Sequence, residues 1–374
     1  MRWIESNAMA TRVRSYSKIN LGLAIGPARA DSFHELTTLY QTLALHDVVT
    51  VEVGRGSRRQ APGARDERQG EIALTTNHPG VPTDARNTAW KMVELALARM
   101  GAAAEVAIHI EKELPVQGGM GAGSANAAAA LIGLERELGV ALPEADRLGL
   151  AAEVGSDVPL FLVGGAVLGT GRGELVSAMP DLPATWCVVA VPEVGVSTPR
   201  AFQEWDGLCA ERASRLTSPP QPDRLKELSH VYASVLGFRP ATEQASDTSG
   251  IVRGPESEGI TPNGLAENAL LALVRTGIEN DFEQVVFPQY PLLREIKRLL
   301  MGASVGLSPG DDPADASGNA LYAALSGSGS ALFGLYRTEA DAKAAQQRVR
   351  ASGCKAILTE TLPRQEYWRK MFAE

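Results

Sequence analysis

Residues 114–130 read LPVQGGMGAGSANAAAA, and the reading of the whole chain turns on this stretch. Its glycines let backbone N–H groups approach an anion with no Cβ in the way, and the alanine-rich run after them is a strong helix former that stops at Gly139. A helix starting near Ser124 adds the positive end of its dipole to those N–H groups, so the loop is suited to hold phosphate. It is not a Walker A loop, because no Gly-Lys-Ser/Thr follows. It also fails the G-x-G-x-x-G dinucleotide fingerprint, because Ser124 stands where the third glycine belongs. On these residues alone, a glycine turn serving only close helix packing is the alternative.

The flanks give the loop its setting. Val106, Ile108 and Ile110 alternate with polar or small neighbours, which predicts a strand before the loop, so the local unit is strand, glycine loop, helix. Asn87 to Met100 has helical spacing, with Trp90, Val93, Leu97 and Met100 on one stripe and Gly101 as its stop. Earlier, residues 11–53 alternate in short runs, such as Ile19, Leu21, Leu23, Ile25 and Val49, Val51, Val53, and are expected to form strands. Later, Pro143 to Val154 reads as a helix ending at Gly155. The run WCVVAV (186–191) reads as a buried strand that opens a second domain, and helical spacing resumes at Asn268 to Arg275 and at Tyr290 to Leu300. Three polar, Gly/Pro-rich stretches read as flexible inserts: 54–70, about 207–262 and 302–319. The first carries five arginines and almost no apolar residue, too little to offset the entropy of ordering it.

Composition narrows the function. With 44% hydrophobic and 21% charged residues in 374, the chain is that of an ordinary globular protein, long enough for two domains. Its formal net charge of -8 provides no global positive field, so nucleic acid and anionic membranes are not expected partners, and an anionic ligand must be held locally. The three cysteines, Cys187, Cys209 and Cys354, show no metal-ligand spacing and suit a reducing cytoplasm. The first ten residues lack the apolar core of a secretory signal, and no apolar run approaches the ~20 residues that span a bilayer.

Two further segments carry chemistry. Ser326-Gly327-Ser328-Gly329-Ser330, between two apolar runs, is a turn rich in N–H and hydroxyl donors, although such turns are commonly structural. In GSDVP, Asp157 follows a helix end and precedes Val158-Pro159-Leu160-Phe161, and a carboxylate in that apolar setting needs a partner or a function. Lys18, in the polar tetrad SKIN beside apolar strand residues, is the candidate partner. A purely structural pair stays open on spacing alone.

Taken together, SYSKINLGLAI (15–25), the 114–130 loop and ALSGSGSALF (324–333) resemble, in order, the three motifs of the GHMP kinase family. ADSFHEL (30–36), GSDVPLFLVGGAVLGTGRGE (155–174), GVSTPRAF (195–202) and NDFEQVVFPQYPLL (280–293) resemble its branch acting on a sugar alcohol that carries a cytidine diphosphate. The resemblance covers most of 11–202 and 263–336. It implies a two-domain α+β kinase: an N-terminal ATP-binding and catalytic domain over 11–180, a C-terminal domain over 181–374, and the substrate cleft between them.

It also implies roles. Asp157 matches the catalytic base and Lys18 its cationic partner. Asn20, His34 and Thr198 match substrate contacts, and Phe33 and Phe202 match aromatics that flank the cytosine ring. The ATP site would comprise Pro115, Gly118, Gly119, Met120, Gly121, Ala122, Gly123, Ser124 and Ala125, with Ser326, Gly327, Ser328 and Gly329, and Ser124 is the candidate contact to Mg2+. ATP is the implied phosphoryl donor, and the implied assembly is a monomer or weak homodimer. The chain departs from the family at Ser32 and Phe33, where Gly-Tyr is usual, and at Gln117, Ala122 and Ala125. A GHMP kinase for homoserine or mevalonate is the competing reading, and a nucleotide-binding regulator without catalysis is a further one. Retention of both Lys18 and Asp157 argues against the regulator.

Overall fold

The alternation in 11–53 folds into a long antiparallel hairpin, β1 (Thr11–Ala28) with β2 (His34–Val53), paired from Thr11 opposite Val51 to Ala28 opposite His34. The computed structural model describes residues 10–54, 58–59, 71–116, 118–215, 278–302 and 318–374. The register of the hairpin shifts between Tyr16 and Lys18 and again between Asn20 and Gly22. Such irregularities twist a strand and re-aim its side chains; here they bracket Lys18 and Asn20.

The two-residue strands β3 (Arg58–Arg59) and β5 (Ala102–Ala103) pair with each other. β4 (Ile72–Thr76), α1 (Thr88–Met100) and β6 (Val106–Glu111) form a crossover unit whose strands are parallel. β6 pairs with the C-terminal half of β2, and β7 (Ala166–Thr170) with its N-terminal half, β8 (Leu175–Ala178) lying beyond β7. α1 begins on an Asn87 side-chain cap and ends at Gly101, as its sequence predicts. With α2 (Ala122–Leu138) and α3 (Glu144–Val154), it packs on this sheet over a core including Val13, Val49, Ile108, Met92 and Leu131.

The second sheet runs β10 (Tyr322–Leu325), β11 (Leu332–Tyr336), β9 (Trp186–Val191), β12 (Lys355–Glu360), all antiparallel. Its own core takes in Ala201 and Trp205 of α4 (Thr198–Arg215), together with the helices Pro291–Met301 and Glu339–Ala351. A middle core joins the sheets, with Ile19, Leu21, Leu39 and Leu43 of the hairpin against Cys187, Val189, Phe333 and Leu335. This two-domain α+β arrangement is the one the motifs imply.

Some boundaries differ from expectation. α2 starts at Ala122, two residues before Ser124, because Gly121 in a left-handed conformation serves as its cap. The stretch expected to be an insert from about 207 begins inside α4, whose buried Trp205 lies on the same helix; the rest of that insert, most of 54–70 and 302–319, the helix expected at Asn268 to Arg275, and Gln117 lie outside the described residues. The chain's end returns to the first unit: Arg14 N donates to Met371 O, and Tyr367 and Met371 are buried in the first core.

Candidate active site

Lys18 and Asn20 point the same way from β1, two residues apart, and both are buried to 2% exposure. Lys18 Nζ donates to Asn20 Oδ1 at 2.6 Å, and Asn20 Nδ2 donates to Thr38 Oγ1 on β2 at 2.8 Å. Nζ also lies 3.3 Å from Asp157 Oδ2. A buried ammonium needs such partners, since taking a charge out of water unpaired costs several kcal/mol. Asp157 is delivered by the turn between α3 and the short 3-10 helix Pro159–Leu162, pinned by fully buried Val158, Leu160 and Phe161. Its carboxylate is one-third exposed, so the pair borders the surface. Its other oxygen, Oδ1, accepts from Tyr40 OH at 3.0 Å. Sequence reasoning passed over Tyr40, although its parity with Thr38 on β2 places both on one face.

The glycine loop closes over this pair. Gly119 and Gly121 take left-handed conformations, φ 73° and 71°. A Cβ at Gly119 would stand 2.2 Å from Ser326 O, and one at Gly121 would stand 2.9 Å from Phe161 Cζ and 3.2 Å from Lys18 Cγ. Only glycine fits either place. Backbone ties fix the loop to β1 and to the third motif: Lys18 N donates to Met120 O, and Ala331 N to Gly118 O. Asp47, fully buried and paired with Lys112 at 2.6 Å, accepts from Glu113 N and Leu114 N and so anchors the approach. Beyond Gly121, α2 has no side-chain cap, which leaves its first-turn N–H groups available to an anion. Ser124 sits in that turn. Met120 and Ala125 are buried in the cores, so only their backbone can serve the loop.

The Ser/Gly turn after β10 meets the same place. Ser326 Oγ donates to Gly119 O at 3.0 Å, so this hydroxyl clamps one glycine loop to the other. A Cβ on Gly327 would lie 3.6 Å from both Lys18 Nζ and Asn20 Oδ1, which puts its backbone against the buried pair. Asn280, also missed in the sequence, holds this turn by donating to Leu325 O and Gly327 O. Ser328 bonds Thr198 Oγ1 at 2.7 Å and thereby joins the turn to the start of α4.

The aromatic residues are arranged differently from a simple pair of ring walls. His34 stacks on Phe202 at 4.6 Å and 11°, and Phe202 meets Phe282 edge-on. His34 Nε2 also contacts Asp206 Oδ1 at 2.8 Å, a residue one helical turn beyond Phe202. Phe33 is 48% exposed, and the Arg172 guanidinium lies 4.7 Å from its ring centre. Ser32, at the usual glycine position, has φ 66°, which explains why a glycine suits that turn.

The class is given by the comparisons with known proteins. The profile of the GHMP kinases N terminal domain matches residues 87–165, and that of the GHMP kinases C terminal matches 314–354. The 4-diphosphocytidyl-2-C-methyl-D-erythritol kinase of Mycolicibacterium gilvum (strain PYR-GCK) is 39% identical over 239 residues, 64% of this chain and 68% of its own. That of Heliobacterium modesticaldum (strain ATCC 51547 / Ice1) is 30% identical over 95% of this chain and 96% of its own. The chain belongs to this 4-diphosphocytidyl-2-C-methyl-D-erythritol kinase branch of the GHMP kinase family. Among solved structures, a 4-(cytidine 5'-diphospho)-2C-methyl-D-erythritol kinase superposes with a TM-score of 0.60 at 24% identity, covering 94% of this chain and 98% of that one. A homoserine kinase from Cytophaga hutchinsonii superposes at 0.63 and 17%, covering 98% and 99%. At these identities the superpositions establish the fold, which kinases of both acceptors share.

Proposed function

We propose that this chain transfers the γ-phosphoryl group of ATP to the 2-hydroxyl of 4-diphosphocytidyl-2-C-methyl-D-erythritol, a step of the non-mevalonate route to isoprenoid precursors. The observation that carries the reaction type is the convergence of the Lys18–Asp157 pair with the Gly121 and Gly327 backbones. The acceptor rests on the relatives at 39% and 30% identity.

Phosphoryl transfer asks the protein for positioning, charge neutralisation and a proton acceptor. Asp157, one-third exposed at the end of its turn, receives the acceptor hydroxyl's proton. Lys18 stabilises the carboxylate's charge and counters that of the transferring group, held in place by Asn20. The first-turn N–H groups of α2 and the glycine loop bind the phosphates through dipoles oriented before the reaction. The Ser124 hydroxyl, in the first turn of α2, would be the protein contact for a Mg2+ ion bound with the nucleotide, and that ion would supply charge neutralisation. His34, stacked on Phe202, and exposed Phe33 read the cytidine. Cytoplasmic localisation is part of the proposal, on cysteine usage alone.

The test is ADP formation with three acceptors: the cytidylylated methylerythritol, mevalonate and homoserine. Turnover with the first alone supports the proposal, and turnover with either of the others in its place overturns it.

A further inference from the structure

Tyr40 touches both members of the Lys18–Asp157 pair. Its hydroxyl donates to Asp157 Oδ1 at 3.0 Å, and Lys18 Nζ lies 5.5 Å from its ring centre. It stands directly opposite Asn20 in the hairpin register, two residues from Thr38, which receives Asn20's hydrogen bond. One face of β2 therefore supplies both ends of the chain of contacts that runs from Thr38 through Asn20, Lys18 and Asp157 to Tyr40.

The surroundings are shaped for this residue. A Cβ at Gly169 on β7 would stand 2.6 Å from Tyr40 Cε2, and a Cβ at Gly173 in the next turn would stand 2.5 Å from Tyr40 OH. Two glycines thus leave room for the ring and for its hydroxyl. Burial, reinforced by the neighbouring charges of Asp157 and Glu174, pushes the phenol well above its ordinary range, so it stays protonated and can act only as a donor towards the carboxylate.

We infer that Tyr40 is a positioning residue: with Lys18, it holds the Asp157 carboxylate in one orientation towards the acceptor, from a seat that Gly169 and Gly173 leave open. Lys18 alone would not do this, because an ammonium is a point charge on a flexible stem, whereas a phenol O–H bonds along one direction. The inference rests on the assignment of Asp157 as base. The bland alternative is a core tyrosine whose hydroxyl merely finds a nearby acceptor.

The experiment is Tyr40→Phe in the full chain, assayed for ADP formation across pH beside the wild type and Asp157→Asn. A hydrogen bond donated to a carboxylate favours its ionised form. Losing it moves the acid limb of kcat/KM to higher pH. kcat falls roughly 10-fold, on the scale of one such bond, while KM for ATP stays unchanged. If Tyr40→Phe fails to fold, 2,3-difluorotyrosine at position 40 gives the reading, because its more acidic phenol moves the limb to lower pH. An acid limb and kcat that coincide with the wild type's overturn the inference, whatever happens to the melting temperature. The outcomes also separate the two assignments. Asp157→Asn with normal turnover defeats the base itself, whereas an inactive Asp157→Asn beside a silent Tyr40→Phe defeats only the role of Tyr40.

Discussion

Asp157 and Phe33 are the residues where the chemistry is most exposed to test. Asp157 borders the surface with both oxygens engaged, by Lys18 and by Tyr40, so replacing it with Asn keeps the shape and removes the proton acceptor. Asp157→Asn is expected to lower turnover by ~100- to 10,000-fold, the usual cost of a lost general base, while calorimetry finds ATP affinity retained. Near-normal turnover would end that assignment. Phe33 is half-exposed, so Phe33→Ala forfeits little packing, and an ordinary core role is already inconsistent with its place. Stacking on a nucleobase is worth ~1 to 3 kcal/mol, so KM for the cytidylyl substrate should rise by roughly 5- to 150-fold with ATP KM unmoved. Phe202 gives a less clean test. His34 and Phe282 pack against its ring, and truncating it would damage fold and site together.

At the scale of elements, the glycine loop and the Ser/Gly turn work as one assembly. Ser326 clamps Gly119, and Asn280 clamps the turn in place. Gly121 is the tightest point, because any side chain there meets Phe161 and Lys18 and must also adopt a left-handed backbone. Gly121→Val is therefore expected to weaken ATP binding by at least about 10-fold, read by calorimetry on folded protein. It should lower turnover as well, because the valine displaces Lys18. Unchanged ATP affinity would move the nucleotide elsewhere. The loop, its helix and the preceding strand were legible in sequence because glycine content, alternation and helix stops are local signals. The exact first residue of α2 was not, because Gly121 acts as a cap through a conformation that spacing does not reveal.

Over the whole molecule, the two sheets share a core. Leu43 is fully buried where the hairpin meets Phe333 and Leu335, so the site lies across a continuous apolar seam. Leu43→Ala is expected to cost ~2 to 5 kcal/mol, with far-UV and near-UV transitions shifting together in denaturant. Two separated transitions would show that the units fold apart. The returning tail adds to the coupling, since Tyr367 and Met371 complete the first core from the far end of the chain. No helix among the described residues is long and apolar enough to cross a membrane.

The sequence by itself determined the strand, glycine loop and helix and the three motifs, and it offered Lys18 as the candidate partner of Asp157, which the fold then brings to 3.3 Å. These depend on local conformational preference and on the cost of burying a charge without a partner. Tertiary structure alone decided that Tyr40 engages the second carboxylate oxygen, that His34 stacks on Phe202 beside Asp206, and that Arg172 covers a face of Phe33. These contacts join residues as far as 172 positions apart, and only strand register and helix packing bring them within reach.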